Sequence, residues 1–216
     1  RFAVLTKTWD SDKNSEWICR HFLALKMIYS ATLTLNSLEY AKGTNLRVVA
    51  PYLGYYSLLS VLRAVAYTIP EVPWMDGKLI RISHKRAINS AFQHLKDFDK
   101  DIADKLKALV LEQKAYRELI SYRAPSKGDD HVDYGLDIED TCTLLAEVAQ
   151  FNSEILEQSI QKKSDPKTMV FLESYIDKLV QFDIEEVSFF DREDAYRLDY
   201  MKRKYPSPPN LLHAMT

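Results

Sequence analysis

Cysteine is nearly missing from this chain: there are two in 216 residues, Cys19 and Cys142. Two thiols cannot fill a four-thiolate metal site, and no Cys-x-x-Cys pair occurs. A bridge between them is conceivable, but a reduced pair in a cytoplasmic protein is the expected state. Glycine (5) and proline (8) are also sparse, which argues against a turn-rich β-sandwich or a glycine-looped nucleotide fold. No apolar run approaches the ~20 residues of a membrane-spanning helix, so no membrane partner is expected. Residues 1–9 lack the apolar length and cleavage site of a signal peptide. The chain also starts without Met, which reads as part of a longer protein. No Gly-rich phosphate loop, His-Glu-x-x-His, Gly-x-Ser-x-Gly or EF-hand loop is present. The five histidines (His21, His84, His94, His131 and His213) show no ligand spacing, so neither a metal nor a cofactor is expected.

What is there is ordinary globular composition, 46 % hydrophobic and 28 % charged, with an uneven charge distribution. Residues 78–123 hold 11 Lys/Arg against 6 Asp/Glu, whereas residues 129–195 hold 5 against 18. A basic middle beside an acidic third implies two surfaces with different partners, or two solvated helix faces.

The dominant period is helical. From Trp17, apolar side chains recur at three/four spacing through Phe22, Leu25 and Ile28 to Leu35, with Asn14 or Ser15 as cap and Gly43 as terminator. A second helix spans about 48–68, with Pro51 in its first turn. Residues 69–77 read as a loop. Ser83 caps a third helix, and Asp99 or Asp101 opens a longer fourth that ends near Arg123, ahead of Ala124-Pro125. Asp137 starts the next. Asp165-Pro166 signals another through Met169, Leu172, Ile176 and Leu179, and residues 192–204 form a last short one. Strand evidence is thin, confined to 2–6 and 79–82. The fold expected is all-α, an antiparallel bundle of six or seven helices. Its organisation is a helical core over 1–136 with an acidic helical extension over 137–216.

One constellation carries chemistry. Tyr55-Tyr56 opens a helix holding Arg63-Ala64; Ser83-His84-Lys85 starts the next, with Phe92 downstream; Tyr116-Arg117 and Ser121-Tyr122-Arg123 end a later, longer one. In order and spacing this resembles the HEPN superfamily (higher eukaryotes and prokaryotes nucleotide-binding), over about residues 45–125. Tyr52, Tyr56, Leu59 and Arg63 share one helical face, and Arg117 and Ser121 share another. If the faces meet, two guanidiniums suited to phosphate and rings suited to an unpaired base converge. The competing reading pairs the arginines with acids such as Glu39 or Glu118 and leaves the tyrosines as packing.

The resemblance implies an RNA- or nucleotide-binding module of prokaryotic defence or toxin–antitoxin type, working with a partner protein or as a homodimer. Its binding residues would be Tyr56, Arg63, His84, Lys85, Arg117, Ser121 and Tyr122. Ribonuclease members of that family place a His four to six residues after an Arg and cut without metal. No Arg here has a His at that separation. The nearest fits are Arg86 with His94 and Arg123 with His131; only the latter spans a loop, so Arg123 and His131 are the catalytic candidates. A third reading is a helical scaffold subunit with Trp74, Phe189, Phe190 and Leu211-Leu212 as exposed anchors.

Overall fold

The computed structural model describes residues 2–46, 48–124 and 137–204. The elements are α1 (Phe2–Leu5), α2 (Ser11–Gly43), α3 (Ala50–Tyr67), α4 (His84–Leu95), α5 (Lys100–Arg123), α6 (Asp137–Lys163), α7 (Ser174–Val180), strands β1 (Gln181–Ile184) and β2 (Val187–Phe190), and α8 (Arg192–Lys204). The protein is thus an all-α helical bundle carrying one small antiparallel hairpin.

Several helix starts follow from local chemistry. Ser83 Oγ accepts from the Arg86 amide and Asp99 Oδ1 from the Ile102 amide, each satisfying an orphan donor of the first turn. Asp191 does the same for Asp194 at the start of α8. Other expectations are corrected. The cap of α2 is Asp10, which accepts from the Lys13 amide at 2.9 Å. Asn14 and Ser15 instead lie buried inside the helix. Asn14 donates to the Thr168 carbonyl and Ser15 to the Val170 carbonyl, while Ser15 also accepts from the Leu172 amide. These bonds satisfy the irregular stretch that follows α6.

Asp165 caps only a single 3-10 turn, Pro166–Thr168, and the helix proper begins at Ser174. Residues 2–6 and 79–82 are not strands. The first is helical, and Lys78–Arg81 is a 3-10 turn. The strands that do form are at 181–190.

The chain divides into two compact units, neither a continuous stretch: Arg1–Leu25, Pro73–Arg81 and Ala149–Thr216 in one, Lys26–Val72 and Ile82–Val148 in the other. In the first, Trp17, Leu156 and Ile160 form a buried cluster joined by Phe2, Trp9 and Met169. Burying a charge there requires a partner, and one is present: Arg20, 1 % exposed, donates through Nε to Glu16 Oε1 at 2.9 Å. Its Nη2 lies 2.7 Å from the same oxygen, and its guanidinium sits 6.0 Å from the Trp74 ring centre. Trp74 is therefore a buried packing residue, 5 % exposed, and not a surface anchor. Phe189 and Phe190 are exposed; Leu211 and Leu212 lie outside the described residues.

In the second unit α3 is buried on nearly every side, packed on α4 and α5. Gly54 explains how closely: a Cβ there would stand 3.1 Å from Ile138 Cδ1 and 3.6 Å from Gln113 Oε1. The α3 residues left unburied are Tyr52, Leu53, Tyr56 and Arg63; of the face the sequence singles out, Leu59 is instead buried in the core. Both cysteines are free and buried. Burial pushes the Cys142 thiol up to about 12 and the Cys19 thiol higher still, so both remain protonated.

Candidate functional site

Three helices of the second unit bring one cluster together. α3 supplies Tyr52, Tyr55, Tyr56 and, two turns further on, Arg63; the first residue of α4 is His84; α5 supplies Lys114, Arg117, Glu118 and Ser121 at three/four spacing. The Tyr55 hydroxyl lies 3.0 Å from His84 Nδ1, a hydrogen-bonded contact. The Tyr56 ring meets His84 edge-on, at 6.0 Å between centres and 89° between planes. Ser121 Oγ donates to the Arg117 carbonyl at 2.7 Å and shares a hydrogen bond of 2.9 Å with the Tyr52 hydroxyl. The Arg117 guanidinium sits 5.3 Å from the Tyr55 ring centre, a cation–π contact that holds it in place.

The electrostatics are lopsided. Arg63, Lys114 and Arg117 all act on His84, and one carboxylate, Glu118, lies 3.4 Å from Lys114 and 3.7 Å from Arg117. Three cations against one anion leave a local excess of +2. Arg63 makes no ion pair or hydrogen bond among the described residues, and the buried Nε atoms of Arg63 and Arg117 have no acceptor. Glu39, the alternative partner, pairs with Lys42 at 2.9 Å. The imbalance registers on His84, whose pKa is held below the usual histidine range by burial first and then by Arg63, Arg117 and Lys114. Burial likewise raises the Tyr55 hydroxyl, opposed by Arg117 and Arg63.

The cluster therefore gathers Tyr56, Arg63, His84, Arg117 and Ser121 of the expected site. It adds Lys114, and Tyr55, which the sequence marks as part of the motif but not among the binding residues. Lys114 was legible as part of the 114, 117, 121 face of one helix. Lys85, Tyr122 and Arg123 stand in solvent. Each is one residue from a cluster position or beyond it, and one residue is a turn of about 100° around a helix. His131 lies outside the described residues, so the Arg123–His131 pair stays an expectation from the sequence. Arg86 and His94 share α4, where His94 is buried with its ring against Phe98 at 5.2 Å.

Among the described residues no three His, Cys, Asp or Glu side chains converge as a metal site, and no helix is long and apolar enough to cross a membrane. Chemically, the cluster can offer planar donors to an anion and an open ring, Tyr56 at 40 % exposure, to a flat apolar group. No family model, no curated protein and no solved structure matches this chain.

Proposed function

We propose that the protein is a HEPN-like RNA- or nucleotide-binding module. In this reading it is a cytoplasmic component of a prokaryotic defence or toxin–antitoxin type system and works with a partner protein or as a homodimer. The observation that carries the binding reading is Arg63, a half-buried guanidinium with no carboxylate, set beside Arg117 and Lys114 around a histidine. A half-buried cation without a counter-charge is costly to the fold alone; a phosphate drawn to that position offsets the cost. Tyr56 lies on the same helical face as Arg63 and supplies a ring on which an unpaired base stacks. The order and spacing of Tyr56, Arg63, His84, Arg117 and Ser121 support the family resemblance.

The test is binding of a fluorescein-labelled single-stranded RNA across a salt series. Each phosphate neutralised contributes about −0.7 to the slope of log affinity against log salt for a single strand. Arg117→Ala, paired with Arg63→Ala, is expected to abolish binding in low salt while leaving the helical circular dichroism unchanged. Equal affinity for the double variant and the parent refutes the reading. Cleavage in EDTA with 2′,3′-cyclic phosphate ends would replace a binder with a nuclease.

A further inference from the structure

The β1–β2 hairpin of the first compact unit has an unusual distribution of side chains. Its register pairs Gln181 with Phe190, Phe182 with Phe189, Asp183 with Ser188 and Ile184 with Val187. Side chains alternate across a ribbon, so Phe182, Ile184, Val187 and Phe189 fall on one face. That face is wholly apolar, and all eight strand residues are exposed. The Phe182 and Phe189 rings already stack, 5.4 Å between centres and 14° between planes. A lone two-stranded ribbon is marginal in water; three or more strands with an apolar face are not.

The edges differ. The Asp191 amide donates to the Val180 carbonyl at 2.8 Å. In an antiparallel ladder hydrogen-bonded pairs alternate with non-bonded ones, so 182/189 and 184/187 bond within the hairpin. The amides and carbonyls of residues 181, 183, 188 and 190 point outward. On the β1 side the Asp183 carbonyl is taken by Arg81. On the β2 side the outward groups of Ser188 and Phe190 have no partner among the described residues, and the strand Val-Ser-Phe-Phe carries no charge or proline to guard that edge.

We propose that β2 is a dimerisation strand: its free edge pairs antiparallel with β2 of a second copy of this chain, giving a four-stranded sheet β1-β2-β2-β1. Only one register bonds all the outward groups within the strands, with Ser188 opposite the second copy's Phe190 and the reverse. The two-fold axis then passes at Phe189, which faces its own counterpart in a non-bonded pair, and Phe182, Phe189, Phe189 and Phe182 form one aromatic row across the sheet. Two residues beyond those pairs, this register brings the Glu186 turn toward the start of the second copy's α8 at Arg192, opposite charges at both ends of the contact. Self-pairing suits this edge for two further reasons. No like charges meet along its four residues. The Arg81-capped outer strand also stops growth, so the contact closes at two copies instead of running on as a fibre.

The experiment is site-directed crosslinking of the full chain under mild oxidation. At the axis the paired Cα atoms stand about 4.5 Å apart, within disulfide reach, and the native thiols are buried and protonated. Phe189→Cys is expected to give a covalent dimer in high yield. Val187→Cys, which would face residue 191 of the second copy, is expected to give several-fold less. Phe189→Lys is expected to convert the species sedimenting at twice the 25.1 kDa chain mass to one chain mass, with unchanged helical circular dichroism. A parent that sediments as a monomer at every concentration overturns the proposal, whether the edge then stays in solvent or takes a strand from another protein. Equal crosslinking at 187 and 189 overturns the register.

Discussion

Each compact unit sets an arginine and a histidine among its helices, and the two treat them in opposite ways: the first buries both, the second leaves both half-exposed. In the first, Arg20 is matched to Glu16 within the same helix, and the neighbouring His21 is sealed, its Nδ1 donating to the Trp17 carbonyl at 2.9 Å. In the second, Arg63 has cations for company, and His84 sits at the mouth of the cluster, half-exposed. Both histidines are held neutral, chiefly by burial. His21 is pushed down to about 4 with Arg20 assisting, and His84 is lowered with three cations assisting. The difference separates charge the fold matches internally from charge it leaves unmatched.

The comparison is most sharply broken at Glu16. Glu16→Ala removes the carboxylate that Arg20 Nε and Nη2 share, and urea unfolding should show a loss of about 3–5 kcal/mol. A loss under 1 kcal/mol would mean that Arg20 is no more committed to the fold than Arg63. Acid acts next. Folded His21 resists protonation, so the unfolded chain binds more protons between pH 6.5 and pH 4, and stability falls as pH falls through that window. The expected total is about 3 kcal/mol, read from urea midpoints alongside the His21 imidazole resonance; a flat profile removes the claim that the ring is sealed.

Arg63→Met should do the reverse of the Glu16 change. Unfolding free energy should hold or rise, while RNA affinity drops by the roughly 1.5–3 kcal/mol of one charged hydrogen bond. The His84 pKa should move up toward its ordinary value as one of its three cations disappears. A stability loss like that of Glu16→Ala would place Arg63 with the structural charges. The smallest effect is at Tyr56. Tyr56→Ala should cost about 1–3 kcal/mol of RNA affinity with the salt slope intact, because stacking releases no counterions; a change of slope would show the ring acting through the phosphates.

Much of the fold was legible because helix ends are written locally. Ser83 and Asp99 cap where their hydroxyl or carboxylate can reach an amide three residues on. The final helix runs over the very residues, 192–204, that its pattern marks. The hairpin was not legible. Phe182 and Ile184, then Val187 and Phe189, do alternate at period two, but the turn between them is Glu185-Glu186, without the Gly or Asn that usually marks one. Glu185 takes the left-handed conformation itself, at φ 55°. Asp165 misled in the other direction: its cap is real, but it closes one 3-10 turn.

At the site, spacing along single helices found Tyr56, Arg63, Arg117 and Ser121. It could not show that Tyr55 reaches His84, since that contact joins residues 29 apart in sequence. Nor could it separate Lys85 from His84 or Tyr122 from Ser121, because adjacency in a sequence is divergence on a helix.

The interleaving of the two units fixes the order in which they can be completed on the ribosome. Residues 26–148 include everything the second unit needs, so it can close while translation is still under way. The first unit must hold residues 1–25 in waiting until the last third of the chain emerges. Trp17 and its neighbours are therefore the nascent surface most in need of shielding by a chaperone. A break anywhere between residues 26 and 148 yields no fragment with the first unit whole.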